Sequence, residues 1–298
     1  MCFRTKTIGK LLLYAVLIIP VLAVTAPAAA GYTLYEDIVY GGCDGCDENL
    51  VSLDIYTPDA PGGSAPSPVV VFIHGGAWQI GDKKYDGEKG EYFAENGFVY
   101  VTVNYRLSPE VIHPVHIQDV ARAVAWVYRR IGEYGGDPDR LFLMGHSAGA
   151  HLAALAALDE RRLTAEGLGP DIISGVLLLD GAGYEIPLLL SSAGWLYQKL
   201  YLPAFTDDPE LQRDASPILH VEDDESPPPF LIIYAGDREE ARIQAGRLAD
   251  RLEAVGGDVT LFHAPEKTHG TVNRELGEEG DDVTAAVRDF IERILDAK

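Results

Sequence analysis

The hydrophobic and polar positions of this chain form two kinds of segment that follow one another repeatedly. Short, continuous apolar runs rich in β-branched residues are typical of strands that are buried on both faces. Such strands are predicted at 69–73, 98–103, 141–144, 172–179, 230–234 and 259–262. Two earlier segments, 35–40 and 50–56, alternate like exposed or antiparallel strands.

Apolar residues spaced three and four positions apart predict amphipathic helices between these strands. The helical segments are 117–131, 151–158, 239–255 and 283–294. Repeated alternation of strand and helix predicts an α/β fold, in which helices cover both faces of a mostly parallel, twisted sheet. Ligands of such sheets bind at the carboxyl ends of the strands.

Residues 31–298 have a size that α/β folds commonly use as one domain. The stretch 181–229 is an insertion between two core strands, with large apolar residues at 188–190, 195–197 and 201–202. We interpret it as a small cap or pocket wall, and ordinary packing on the sheet edge is the alternative.

The first thirty residues have the pattern of a signal peptide. Arg4, Lys6 and Lys10 precede an apolar run at 11–24, and small residues surround Ala30. This order predicts cleavage near Ala30 and a secreted or periplasmic protein. The run is short for a membrane span, which needs about 20 residues, so no stable membrane insertion is expected after cleavage, and an uncleaved anchor is the alternative.

Charge and cysteine content agree with export. The formal net charge of −22 argues against nucleic acids and anionic membrane surfaces as partners. Beyond the predicted cleavage site, only Cys43 and Cys46 remain. They are predicted to close a small disulfide loop, the alternatives being a redox motif or half of a zinc site.

The sequence Gly-His-Ser-Ala-Gly at 145–149 lies between a predicted strand and a predicted helix. A Gly-x-Ser-x-Gly in that position is typical of a nucleophile elbow, a tight turn that exposes a serine hydroxyl above the sheet. The pattern therefore predicts a serine hydrolase with Ser147 as nucleophile. A chance match of small residues is the alternative.

A serine hydroxyl needs a base, and in this type of fold the base follows the acid, which follows the serine. Three histidines lie beyond the helix that follows the elbow: His220, His263 and His269. Only His269 occupies the loop between the last strand and the last helix, where an imidazole can reach over the sheet edge. His269 is the predicted base.

Two aspartates at strand ends compete for the acid position. Asp237 follows the strand 230–234 and lies between the serine and the base in the chain, so it is the preferred acid. Asp180, which ends the strand one earlier, is its rival, and Glu239 and Glu240 are weaker rivals. Asp237 could also cap the next helix.

The oxyanion hole should use backbone N–H groups, one of them on Ala148 after the nucleophile. A His-Gly-Gly-Ala-Trp loop at 74–78 directly follows a buried strand, and its glycines allow a close approach to the substrate. We predict N–H donors from Gly76 and Ala77, with Gly75 as a further candidate. His74 and His146, beside these loops, are interpreted as residues that tie the backbone.

Together these motifs, with Asn-Tyr-Arg-Leu at 104–107 and Gly-Asp-Pro-Asp-Arg at 136–140, resemble the α/β-hydrolase fold-3 esterases. The chain is most similar to their feruloyl esterase-like and kynurenine formamidase-like group. In the formamidase-like pattern, an aspartate at the position of Asp237 is the triad acid. The family's acid loop often has a proline after that aspartate, whereas this chain has Arg238.

The resemblance and the motifs imply a secreted serine carboxylesterase for small-molecule esters, short-acyl esters in particular. A formamide or amide hydrolase, a carbohydrate acetyl or feruloyl esterase, and an inactive binding protein with this fold are the alternatives. No metal-ligand spacing such as His-Glu-x-x-His occurs, so neither a metal nor another cofactor is expected.

Overall fold

The computed structural model describes residues 31–59, 65–85, 87–192, 194–223 and 226–297. The predicted signal peptide, residues 1–30, lies outside these ranges, and so do the side chains of the predicted cap residues 195–197. None of the helices in the described ranges combines the length and the apolar character that crossing a bilayer requires.

The described strands form one eight-stranded sheet in the order β1-β2-β4-β3-β5-β6-β7-β8. Strands β3 to β8 run parallel to one another, whereas β2 pairs antiparallel with both β1 and β4. The strands are β1 (Tyr32–Val39), β2 (Ser52–Pro58), β3 (Ser67–Ile73), β4 (Val99–Val103), β5 (Gly136–His146), β6 (Ile173–Leu179), β7 (Phe230–Ala235) and β8 (Val259–Ala264). The predicted fold class is thereby confirmed.

Ten described α-helices accompany this sheet, and six of them were not predicted from the hydrophobic pattern. They are α1 (Lys89–Glu95), α2 (Val115–Arg130), α3 (Ala148–Leu158), α4 (Glu160–Thr164), α5 (Ile186–Ser192), α6 (Trp195–Phe205), α7 (Pro209–Asp214), α8 (Glu239–Ala254), α9 (Thr271–Arg274) and α10 (Asp282–Asp296). The insertion 181–229 contains α5, α6 and α7, so much of it is helical rather than irregular.

The core forms two layers because successive side chains of a strand point to opposite faces of the sheet. In β3, Val69, Val71 and Ile73 pack in one layer, together with residues of α2, α3 and α8. Val70 and Phe72 pack in the other layer, together with residues of α1 and α10. Burial on both faces explains the continuous apolar run of this strand.

The edge strand β1 contains a bulge that is tied to the interior. Its pairing with β2 shifts register between Tyr35 and Ile38, and Asp37 within this bulge has a φ of 55°. The fully buried Lys83 ammonium lies 2.5 Å from Asp37 Oδ1 and 2.7 Å from Asp54 Oδ1. The ion pair satisfies a charge that would be costly to bury alone.

The two cysteines that remain after the predicted cleavage site are joined in the structure. Cys43 and Cys46 form a disulfide with their Cα atoms 5.7 Å apart. The predicted loop staple is therefore confirmed.

Candidate active site

The elbow serine lies between β5 and α3 in a conformation that is rare for a residue with a side chain. Ser147 has a φ of 56° and a ψ of −118°. The turn holds because its neighbours are small: a Cβ on Gly149 would come within 1.9 Å of the Ile73 carbonyl oxygen. Backbone strain of this kind is characteristic of functional sites.

His269 connects this serine to a buried carboxylate. Its Nε2 lies 3.0 Å from Ser147 Oγ, and its Nδ1 lies 2.6 Å from Asp180 Oδ2. The imidazole therefore donates from Nδ1 to Asp180 and presents Nε2 as an acceptor to the serine hydroxyl. This is the hydrogen-bond sequence that activates a serine nucleophile.

The carboxylate that is hydrogen-bonded to His269 belongs to Asp180, not to the preferred Asp237. Asp180 is fully buried at the end of β6, the strand next to the elbow strand, whereas Asp237 is exposed in the turn after β7. The geometry thus corrects the preference for Asp237. Chain order allowed both aspartates, and the proximity of β6 to the elbow decides between them.

Three donors surround the Asp180 carboxylate. Oδ1 accepts from the Ala235 backbone N–H at 3.0 Å, and Oδ2 accepts from both His269 and Arg238. Burial would raise the pKa of Asp180, but the hydrogen bond from His269, the charge of Arg238 and the Ala235 N–H hold it below its usual value. Asp180 is therefore an anion at neutral pH.

His146, within the elbow, holds the loop that contains His269 close to the end of β5. Its Nε2 donates to the His269 carbonyl oxygen at 2.7 Å, and the two imidazole rings are 4.6 Å apart. Burial, with the neighbouring charge of His269, lowers the pKa of His146 to about 3. His146 is thus a neutral structural donor, as the sequence predicted.

The glycine loop after β3 has positive φ angles at three successive residues: Gly76 (115°), Ala77 (53°) and Trp78 (59°). A Cβ on Gly76 would come within 1.8 Å of the Ile80 carbonyl oxygen. His74 ties the start of the loop, because its Nδ1 donates to the Gly75 carbonyl oxygen at 2.7 Å.

Trp78 anchors the far end of the glycine loop in the interior. Its indole N–H donates to His151 Nδ1 at 3.2 Å, and the other ring nitrogen of His151 donates to the Ala215 carbonyl oxygen at 2.7 Å. The indole also packs edge-on against Phe205 of α6. A buried tryptophan therefore links the glycine loop to both α3 and the insertion.

A cavity of about 640 Å³ opens above Ser147. Its lining includes Gly76, Ala77, Ala148, His146, Asp180, Arg238 and His269. Gly75 instead lines a neighbouring cavity, and a Cβ on it would come within 3.1 Å of Ser147 Cβ. The insertion contributes Leu200 and Tyr201 to the wall. The volume of the cavity falls in the range of small-molecule sites, roughly 300–1,000 Å³.

The other histidines beyond α3 lie away from Ser147. His263 stacks on Tyr234 and contacts the Gly236 carbonyl oxygen, and His220 contacts the Asp214 carbonyl oxygen. Neither shares the cavity above the serine. The choice of His269 from loop position agrees with this arrangement.

A second polar cluster was not visible in the sequence. Asp159, Asp214 and His220 lie close enough to share a metal ion, but the guanidinium groups of Arg161 and Arg162 already contact both carboxylates. These contacts make the cluster an ion-pair network between α4 and the end of α7.

Comparison with known proteins agrees with the fold. The family model described as BD-FAE matches residues 53–170. In superposition, the chain matches esterase B from Lactobacillus rhamnosis with a TM-score of 0.74 at 22% identity, covering 91% of this chain and 89% of the other. A truncated carbohydrate esterase from gut microbiota gives a TM-score of 0.72 at 22% identity, covering 90% and 98%. The chain has the α/β-hydrolase fold.

Sequence relatives of this chain are named as esterases. Esterase LipQ of Mycobacterium tuberculosis is 35% identical over 268 residues, covering 86% of this chain and 61% of the relative. A probable isoprenylcysteine α-carbonyl methylesterase of Arabidopsis thaliana is 32% identical over 250 residues, covering 78% and 50%. The chain thus spans about half to three-fifths of the length of these relatives, and the resemblance to α/β-hydrolase esterases is confirmed.

Proposed function

We propose that this protein is a serine carboxylesterase that works through Ser147, His269 and Asp180. The hydrogen-bonded sequence from Ser147 Oγ through the imidazole to the buried carboxylate carries the proposal. The similarity to named esterases supports the same activity.

In the proposed reaction, Ser147 Oγ attacks the acyl carbon while His269 Nε2 takes its proton. His269 returns that proton to the departing alcohol, and water then hydrolyses the acyl-enzyme by the same route. Asp180 keeps the Nδ1 proton in place and stabilises the imidazolium that forms. We assign the oxyanion to the N–H of Ala148, with those of Gly76 and Ala77, because these residues line the cavity at the serine.

We further propose that short acyl chains are preferred. The cavity wall formed by the buried Trp78 and by Leu200 and Tyr201 of the insertion supports this preference, because it confines the space beside the nucleophile. Export to the periplasm or medium is proposed from the pattern of residues 1–30 and agrees with the disulfide between Cys43 and Cys46.

The experiment is hydrolysis of p-nitrophenyl esters from acetate to palmitate by the wild type and by Ser147→Ala. We expect turnover that is highest for short chains and falls to background in the variant. Activity that persists in a folded Ser147→Ala protein would contradict the mechanism. A maximum at palmitate would contradict the chain-length preference alone.

One observation favours a carbohydrate acyl esterase as the second candidate. A neighbouring cavity of about 690 Å³ shares Gly76, Gln79, Ile80 and His146 with the first. Its lining includes Asp82 and Asn273, polar groups that suit a hydroxylated alcohol. Release of acetate or ferulate from acylated oligosaccharides with a higher kcat/KM than from p-nitrophenyl acetate would support this candidate.

A further inference from the structure

An arginine reaches the acid and the base of the proposed triad from outside the motifs that define them. Arg238 directly precedes α8, and its Nη1 contacts Asp180 Oδ2 and lies 2.7 Å from His269 Nδ1. Its side chain is one-third exposed and lines the cavity above Ser147.

The contact places two donors on one carboxylate oxygen. Both the guanidinium and the imidazole Nδ1–H point to Asp180 Oδ2, while the Ala235 N–H holds Oδ1. A buried carboxylate fixed by three donors cannot rotate away from the imidazole without losing hydrogen bonds. Arg238 thus restrains the group that orients the base.

The same contact affects which ring nitrogen of His269 carries the proton. If Arg238 donated to Nδ1, the imidazole would hold its proton on Nε2 and could no longer accept one from Ser147. The Asp180 anion lies 2.6 Å from Nδ1 and accepts a hydrogen bond from it, so Nδ1 carries the proton and Nε2 stays free to act as base. By holding that anion in place, the Arg238–Asp180 ion pair favours the productive tautomer.

Arg238 also places a positive charge beside the base, because its Nη1 lies 2.7 Å from His269 Nδ1. Other groups near the pair are Asp180 on β6, His146 on β5, Lys89 on α1, Tyr184 after β6, and Lys267 with its partners Glu275 and Asp281. Lys267 is matched by two carboxylates, and His146 is neutral. Among these described groups, Arg238 is the cation in direct contact with the base.

We propose that Arg238 is a positioning residue, which fixes Asp180 against His269 and extends esterase activity to lower pH. This inference rests on the proposed function. It assigns a role to an arginine that belongs neither to the triad nor to the oxyanion loop.

The test is the pH profile of kcat/KM for a short p-nitrophenyl ester in Arg238→Met and Arg238→Lys. Loss of the charge in Arg238→Met should move the acid limb to higher pH by about one unit, equivalent to about a tenfold loss of kcat/KM below the limb. Arg238→Lys keeps the charge and should keep the limb close to that of the wild type.

The matched control is Arg242→Met, which removes the same charge from an exposed side chain one turn along α8. A wild-type acid limb in folded Arg238→Met, or an equal shift in Arg242→Met, would overturn the inference. Ser147→Ala measured alongside separates the two proposals. If Ser147→Ala keeps activity, the proposed function fails. If Ser147→Ala loses activity while the acid limb of Arg238→Met stays at the wild-type pH, only the proposed role of Arg238 fails.

Discussion

At the scale of single residues, the acid position shows what a sequence can and cannot specify. Asp180 and Asp237 both follow strands and both lie between Ser147 and His269 in the chain. Their distances from the base depend on sheet order, which chain order does not contain. One local signal did exist, because Asp180 follows a strand that ends in four apolar residues, and a carboxylate in such surroundings requires partners.

Asp180→Asn should lower kcat by about a thousandfold or more, because the amide no longer stabilises the imidazolium or fixes the productive tautomer. Asp237→Asn, at an exposed position after the neighbouring strand, should change kcat by less than about twofold. The measurement is kcat for p-nitrophenyl butyrate with circular dichroism on both variants. The reverse ranking would restore Asp237 as the acid.

At the scale of elements, the buried strands and the long amphipathic helices were predictable, since their periodicities are set by burial on two faces or on one. The short helices of the insertion were not. Helix α6 contains Pro203, and α5 has only seven residues, so neither has a lasting 3.6-residue pattern. Helix α1 begins without a side-chain cap, and its buried positions include Lys89 and Gly90. Packing against β2 and β4 determines α1, whereas α5 packs against α6, α7 and α8.

The crossing of α3 over the end of β3 depends on a glycine. Gly149→Ala should destabilise the protein by more than about 2 kcal/mol, because the new methyl group would overlap the Ile73 carbonyl and backbone must move. Gly132→Ala is the matched control, since a Cβ there meets no atom within 4 Å. Urea unfolding of both variants measures the difference, and equal stabilities would show that the elbow can relax.

The ion pair between the 104–107 loop and α2 should contribute more to stability than its surface counterparts. Arg106 binds Asp119 through two bonds of 2.7 Å, and the Asp119 side chain is fully buried. Arg106→Ala leaves an incompletely paired buried carboxylate and should cost about 3 kcal/mol of unfolding free energy.

The exposed pair Arg130–Glu133 serves as the control for this ion pair. Arg130→Ala should leave the unfolding free energy unchanged within error, because solvent screens such pairs. A similar loss in the two arginine variants would contradict the assignment of a special role to burial.

At the scale of the whole molecule, histidines whose pKa values are lowered by burial make stability depend on pH. Burial, the largest effect at each, lowers the pKa of His113 to about 4 and those of His116, His146 and His151 to about 3. In the unfolded chain a histidine titrates near 6.5. Below pH 6.5 these histidines bind protons in the unfolded state but stay neutral in the folded state. The unfolding free energy therefore falls as pH decreases.

The expected slope between pH 6 and pH 5 is as much as about 1.4 kcal/mol per pH unit for each histidine that stays neutral. Urea unfolding at half-unit intervals from pH 8 to pH 5 measures it. A total slope above that of a single group supports the expectation that several of these histidines stay neutral in the folded state. A flat profile would contradict it. The same series defines the pH range in which activity profiles report on folded protein.

The bulge in β1 has a consequence for how copies of the molecule meet. An edge strand with a regular row of free amides and carbonyls is a template for the edge of another sheet. Here Asp37, held by Lys83, breaks that row midway along the strand, so a second chain could not extend the ladder without disrupting the ion pair. The Lys83–Asp37 salt bridge thus also hinders two copies of this protein from pairing their sheets edge to edge along β1, even at high concentration.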